Sequence, residues 1–252
     1  MPMVKDYLKN NFKHGIEAGV LQYGGVGQET TSAEVAEILA TADIDWLFVD
    51  GEHGGHTVTT ILDIARAIAA YDVTPVVRIP QAGTGIIKQL LDGGIQNIII
   101  PKVETGEETE DIMYWASYAP RGNRGFGASA VRAGRFNRHP DYLDRNVEEI
   151  CILPQIESVR GWENLEAITN TPGVGAIFLG PIDLAVDMGH GINIFHPEVE
   201  AAMDDMIKRV RKLGKPVGTN RADHRPSKTF RRFGREFLGS RRRHFLPDER
   251  HG

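Results

Sequence analysis

Cysteine is nearly absent from this chain. Among 252 residues there is one, Cys151, so no internal disulfide can form, and its place in an apolar run reads as a buried structural thiol. No apolar run approaches the length of a membrane span. The opening Met1-Pro2-Met3-Val4-Lys5-Asp6 lacks the basic region and apolar stretch of a signal peptide. Positive charge is not in excess either: the net charge of -5 gives no reason to expect nucleic acid or an anionic membrane as partner. No Gly-x-Gly-x-x-Gly follows the first apolar run and opens a helix, so the phosphate fingerprint of a doubly wound dinucleotide-binding sheet is missing. What remains is a cytoplasmic, enzyme-sized chain whose length suits a single parallel α/β barrel.

Apolar runs alternate with helix-period segments along most of the sequence. Strands are expected at Ala18 to Tyr23, Trp46 to Asp50, Pro75 to Arg78, Asn97 to Pro101, Cys151 to Ile156, Gly175 to Gly180 and Pro216 to Thr219. Helices are expected at Ser32 to Ala42, Val58 to Tyr71, Gly85 to Leu91, Glu107 to Ala119, Glu163 to Thr169 and Pro197 to Leu213, with Ser32 as an N-cap and Gly214 as a C-terminal stop. Seven strands in this alternation predict a TIM-type (β/α)8 barrel with its eighth strand missing or replaced, and a doubly wound open sheet is the structural alternative. Gly122 to Arg145, with five arginines, four glycines and few aliphatics, reads as a long functional loop with short helical turns.

The last 32 residues break the pattern. From Arg221 onward there is no valine or isoleucine, and ten Lys plus Arg face four Asp plus Glu; the tail is +6, which leaves -11 for residues 1 to 220. A buried strand calls for a β-branched run, for which His244-Phe245-Leu246 is a poor substitute. The chain therefore divides into a barrel domain, residues 1–220, and an atypical basic tail, residues 221–252, that reads as a shifted frame or aberrant splice, with at best a short polar helix around Ser227 to Phe237.

In a parallel barrel, reactive residues collect at the carboxyl ends of the strands. The second strand ends Asp50-Gly51-Glu52-His53, the third Val77-Arg78, the fifth Gln155-Ile156-Glu157 and the sixth Gly180-Pro181-Ile182-Asp183. Glu157 and Asp183 would converge at one mouth; converging carboxylates repel unless a proton or cation lies between them, and oxygen ligands suit a hard divalent ion. Taken singly, each acid is equally a first-turn helix acid. His53 near Asp50 reads either as a structural pair or as an acid-oriented general base. Arg78 at a strand end suits an anionic substrate or a neighbouring acid. His56, His190 and His196 have no metal spacing.

The series Trp46-Leu47-Phe48-Val49-Asp50-Gly51-Glu52-His53, Val77-Arg78-Ile79-Pro80, Lys88-Gln89-Leu90-Leu91-Asp92, Pro120-Arg121-Gly122-Asn123-Arg124-Gly125, Gln155-Ile156-Glu157 and Gly180-Pro181-Ile182-Asp183-Leu184 resembles the metal-dependent class II pyruvate aldolases of the HpcH/HpaI group, from about Gly15 to about Asn220. The resemblance implies a lyase cleaving a 4-hydroxy-2-oxo acid to pyruvate and an aldehyde through a metal-stabilised enolate. It implies Glu157 and Asp183 as ligands of Mg2+ or Mn2+, with Co2+ or Zn2+ as alternatives. It implies His53, oriented by Asp50, as the proton-moving group, Arg78 on the enolate oxygen, Gln155 as a ligand to substrate, and backbone amides near Gly180 and Ile182 as a carboxylate cradle. Partners would be a small 2-oxo acid and an aldehyde, in a family that forms homo-oligomers, here set against an altered C-terminus. The alternatives are a related decarboxylase or coenzyme A ester lyase, a Schiff-base aldolase using Lys102, or a non-catalytic product without a closed barrel. Ile182 stands where the family often has alanine, Leu21-Gln22-Tyr23 where it has tryptophan, and Lys102 where methionine is frequent.

Overall fold

A computed structural model of the chain describes residues 6–26, 30–127 and 129–220, and the backbone of 236–239. Helix α1 (Asn11–Glu17) precedes β1 (Gln22–Val26) and α2 (Ala33–Ala40). Then come β2 (Trp46–Asp50), α3 (Val58–Ala67), β3 (Thr74–Arg78), α4 (Thr84–Asp92), β4 (Asn97–Ile100) and α5 (Gly106–Ala116). The second half runs α6 (Tyr142–Glu149), β5 (Cys151–Ile156), α7 (Val159–Glu163), α8 (Leu165–Asn170), β6 (Ile177–Leu179), α9 (Pro181–Asp187), α10 (Pro197–Lys212), β7 (Val217–Thr219) and β8 (Glu236–Gly239). The strands are parallel and paired in chain order, and β8 joins β7 to β1 to close the barrel.

Local chemistry sets most element boundaries. Ser32, Thr105 and Ser158 accept hydrogen bonds from the first-turn amides of α2, α5 and α7, and Thr57 forms a reciprocal capping box with Thr60 at α3. Pro181 and Pro197 sit in the first turns of α9 and α10, where the missing N–H costs nothing.

Strand alternation sorts the apolar residues into two cores. Leu47, Val49, Val77, Ile98, Ile100, Ile152, Ile156, Ile177 and Leu179 face outward and pack beneath the helices. Trp46, Phe48, Val76, Ile99, Cys151, Leu153 and Phe178 face inward, joined from below by Phe12 and Ile16 of α1. The inner rings interlock: Phe12 and Phe48 meet Trp46 edge-on at 5.8 and 6.4 Å, and Phe48 stacks on Phe178 at 6.3 Å. Asp50, Arg78, Gln155 and Glu157 continue the inward parity of their strands, and so project into the carboxyl-end mouth.

β1 lies downstream of the expected Ala18 to Tyr23. Gly19 takes a left-handed turn (φ 77°) just after α1, leaving Val20 and Leu21 exposed. The strand then carries two glycines because a Cβ at Gly24 would lie 2.5 Å from the Trp46 indole and one at Gly25 2.8 Å from Ile44 Cδ1. The segment expected as a loop, Gly122 to Arg145, holds turns and then the start of α6. The eighth strand is Glu236–Gly239, inside the arginine-rich tail and held by backbone pairing on both sides. The candidate at His244 to Leu246 lies outside the described residues, as does the expected helix at Ser227 to Phe237 except for its last two residues, which open β8. Among the described residues no helix is long and apolar enough to cross a membrane.

Candidate active site

The register of β2 and β3 sets Asp50 directly beside Arg78. The guanidinium donates to Asp50 through Nε to Oδ1 at 2.9 Å and Nη2 to Oδ2 at 2.6 Å, a bidentate pair that fixes the fork in one plane. Both side chains are buried, Arg78 at 4% exposure. Burial alone would raise the Asp50 carboxyl, but hydrogen bonds and charge from Arg78 outweigh it and hold the group below the usual carboxylate range. Arg78 also lies over the Phe48 ring at 5.3 Å and keeps Nη1 3.1 Å from Glu52 Oε2.

This arrangement corrects the expected pairing of Asp50 with the His53 ring. Asp50 Oδ1 reaches His53 only through its backbone N–H, at 3.3 Å, because the carboxylate is taken up by Arg78. The imidazole stands at the rim, 58% exposed, with Nε2 3.7 Å from Glu52 Oε2. Glu52 is thus the acid next to the histidine, a member of the site that reading strand ends alone did not assign. Burial raises its carboxyl, Arg78 and His53 oppose that, and the charges of Asp50 and Asp183 add to it.

Glu157 follows β5 at 6% exposure. Its Oε1 accepts the Lys102 backbone N–H at 2.8 Å, and Gln155 Nε2 donates to Oε2. Burial, then the charges of Asp183 and Glu52, push the Glu157 carboxyl up to about 7. Asp183 lies in the first turn of α9, exposed at the mouth. Gly180 is compelled to be glycine: a Cβ there would fall 2.4 Å from Glu157 Oε2 and 2.8 Å from Gln155 Nε2. The Gly180 N–H, expected in a carboxylate cradle, instead donates to Ile156 O at 3.0 Å. Of the two amides, that leaves Ile182's, in the first turn of a helix whose initial N–H groups have no intrahelical acceptor. The Ile182 side chain is 49% exposed.

These groups fit a divalent cation. Burial, then the charges of Asp183 and Glu52, drive Glu157 toward protonation, and a cation beside its carboxylate would offset that cost. Gln155 Oε1 is buried and finds no donor among the described residues, because its amide nitrogen is turned to Glu157. Among the described residues, the one trio of His, Cys, Asp or Glu side chains close enough to share an ion is His190, His196 and Glu198, before and at the start of α10. The two imidazoles there stack at 3.6 Å and 14°, and His190 Nε2 lies 2.8 Å from Glu198 Oε2. Lys102 is exposed and carries a left-handed backbone (φ 51°); its contribution to the mouth is the N–H that holds Glu157.

The model of the HpcH/HpaI aldolase/citrate lyase family matches residues 28–240. The chain belongs to this family. The match covers most of the chain and ends one residue past β8. A hydroxypyruvate/pyruvate aldolase of Deinococcus radiodurans is 41% identical over 94% of this chain and 85% of its own length. A 4-hydroxy-2-oxo-heptane-1,7-dioate aldolase of Klebsiella pneumoniae is 41% identical over 92% of this chain and 87% of its own. The crystal structure of a family protein from Burkholderia cenocepacia superposes with a TM-score of 0.85 at 32% identity, covering 92% of this chain and 93% of that one. The family is one of divalent-metal-dependent aldolases, and this member is a carbon–carbon lyase of the aldehyde-lyase type.

Proposed function

We propose that this lyase cleaves a 4-hydroxy-2-oxo acid to pyruvate and an aldehyde, with Glu157 and Asp183 holding Mg2+ or Mn2+. The observation that carries this reading is the Glu157 carboxylate, destabilised first by burial and then by the charges of Asp183 and Glu52, at the mouth that also holds the buried, pre-oriented Arg78. The names of the aldolase relatives supply the substrate class. When bound, the ion supplies a Lewis acid for the keto and carboxylate oxygens of the 2-oxo acid.

Arg78 stabilises charge where it develops. Asp50 fixes two of its nitrogens, and Nη1, which lies beside Glu52 Oε2 with one of its two N–H groups to spare, faces the oxygen that becomes anionic as the C3–C4 bond breaks. His53 takes the proton of the C4 hydroxyl during cleavage and returns a proton to C3 of the pyruvate product. Gln155 presents its unpaired Oε1 to the bound substrate or its water, and the Ile182 amide meets the substrate carboxylate.

Pyruvate with a panel of aldehydes, with and without Mg2+ or Mn2+, tests the reaction. Turnover should vanish in excess chelator and return with the metal. His53→Ala should lower kcat by about 10²–10⁴-fold with little change in pyruvate binding. Full activity in chelator, or borohydride trapping of pyruvate on Lys102, would replace this mechanism with a Schiff-base one.

A further inference from the structure

At the amino end of β4, away from the catalytic mouth, the turn after α4 and the arginine-rich segment before α6 line a small cavity. Its volume is about 40 Å³, and Gln96, Arg124, Arg132, Arg135 and the acid Glu149 line it beside apolar residues such as Leu8 and Leu91. One water needs roughly 10–15 Å³ on this measure, so the space suits an anion of a few heavy atoms.

The cations here are incompletely answered. The Arg124 side chain is fully buried and donates from Nη2 to Asp92 Oδ1 at 2.6 Å, yet its Nε and Nη1 find no hydrogen-bond acceptor among the described residues. Stacking on Tyr118 at 4.5 Å covers the face of the guanidinium and leaves those in-plane donors unsatisfied. Arg132 has one donor on Gly93 O at 3.0 Å. Burial, then the charges of Arg135 and Arg66, push it below its usual range. Arg135 lies over the Tyr7 ring at 4.2 Å.

The acids nearby are already engaged. Asp92 is held by Arg124, and Glu149 accepts the Asn10 N–H at 2.6 Å with His14 at 3.0 Å and Arg145 at 3.8 Å. Gly94, left-handed at φ 87°, keeps the turn open; a Cβ there would lie 2.8 Å from Arg132 Nη1. Buried donors without acceptors are rare in folded proteins and call for a partner, and planar guanidinium donors match tetrahedral oxyanions.

We propose that Arg124, Arg132 and Arg135 form a binding site for a phosphate group, distinct from the catalytic mouth, whose occupancy ties the Gly122–Arg145 segment to the α4–β4 turn. The ligand is free phosphate or the phosphate of a small monoester. Arg124 is too deeply buried for a clean test, so the variants are Arg132→Gln and Arg135→Gln, checked by circular dichroism. Calorimetric titration of the metal-loaded full chain with inorganic phosphate, and in parallel with glycerol 3-phosphate, gives the affinities.

Phosphate should bind the parent chain and Arg78→Ala alike and bind at least tenfold more weakly to both arginine variants, Arg135→Gln carrying the test if Arg132→Gln misfolds. Tighter binding of the monoester identifies a phosphorylated metabolite as the ligand; tighter binding of the free ion identifies phosphate itself. No binding to the parent chain overturns the proposal. Binding lost in Arg78→Ala but kept in the other two also overturns it, by placing the ion at the catalytic mouth. Neither result bears on whether the chain is an aldolase.

Discussion

At the amino end of the barrel, Asn10, Gln22, Asn97 and Glu149 are buried with their side chains bonded, whereas at the carboxyl end Glu157 and Gln155 are buried with charge or lone pairs left over. The Asn10 amide donates to Asn97 Oδ1 and Glu149 O, both at 2.8 Å, and Gln22 Nε2 donates to Phe12 O at 3.0 Å, so α1 is fastened to the floor with its polar groups paired. At the other end four acids, Asp50, Glu52, Glu157 and Asp183, and one arginine stand at or just beyond the ends of β2, β3, β5 and β6. Burying polar groups costs little when they are paired and much when they are not. The floor is built for stability, and the mouth holds an electrostatic deficit that a cation and an anionic substrate can fill.

The largest effect expected from breaking this contrast is at Glu157. Glu157→Gln should lower kcat by about 10³-fold or more, since the Lewis acid loses a ligand. The same variant should sharpen the stability side. A folded carboxyl at about 7 against an ordinary 4.5 means that the folded state holds this proton more tightly than the unfolded one. The stabilising contribution of the group is complete below about pH 4.5 and is lost as pH rises through about 7, a swing of about 3 kcal/mol. Urea midpoints of the metal-free protein should therefore fall between about pH 5 and about pH 8 in the parent and stay flatter in Glu157→Gln. Saturating metal should remove the difference.

Asp50→Asn comes next. Because Asp50 neutralises Arg78 rather than orienting His53, the variant leaves a buried guanidinium without its counter-charge and should lose about 3–5 kcal/mol of stability, read as a lowered denaturation midpoint. A variant that is merely slower, with unchanged stability, would show that the pair matters only for catalysis. Smallest is the floor: Asn10→Ala should cost about 1–3 kcal/mol with kcat unaltered. A marked loss of turnover there would mean that the two ends are coupled.

Legibility in the sequence followed the density of apolar residues. Trp46–Val49 and Cys151–Leu153 are continuous apolar runs, and both strands fall where those runs lie. β1 lies outside its apolar run because Gly24 answers to the Trp46 indole and Gly25 to Ile44, neighbours that no local pattern reveals. Tyr142–Glu149 is mostly polar and reads as loop until three buried residues, Tyr142, Asn146 and Glu149, are seen to anchor it. β8 carries no β-branched residue and is defined by the strands on either side. At the mouth, Glu157 and Arg78 could be read from strand ends. The partner of Asp50 could not, because proximity across β2 and β3 depends on register, and Glu52 was passed over because it stands two residues beyond its strand.

The inward-facing Cys151 gives the barrel an internal reporter. Its thiol is fully shielded and burial pushes it up to about 12, and a Cβ at neighbouring Gly175 would lie only 2.5 Å from its sulfur. A thiol reagent reaches it only when the strands around it separate, since the reactive species is the thiolate and the native interior disfavours it. As the sole cysteine of the chain, it makes the rate of thiol labelling a direct measure of barrel opening, with no engineered probe and no background from other sites.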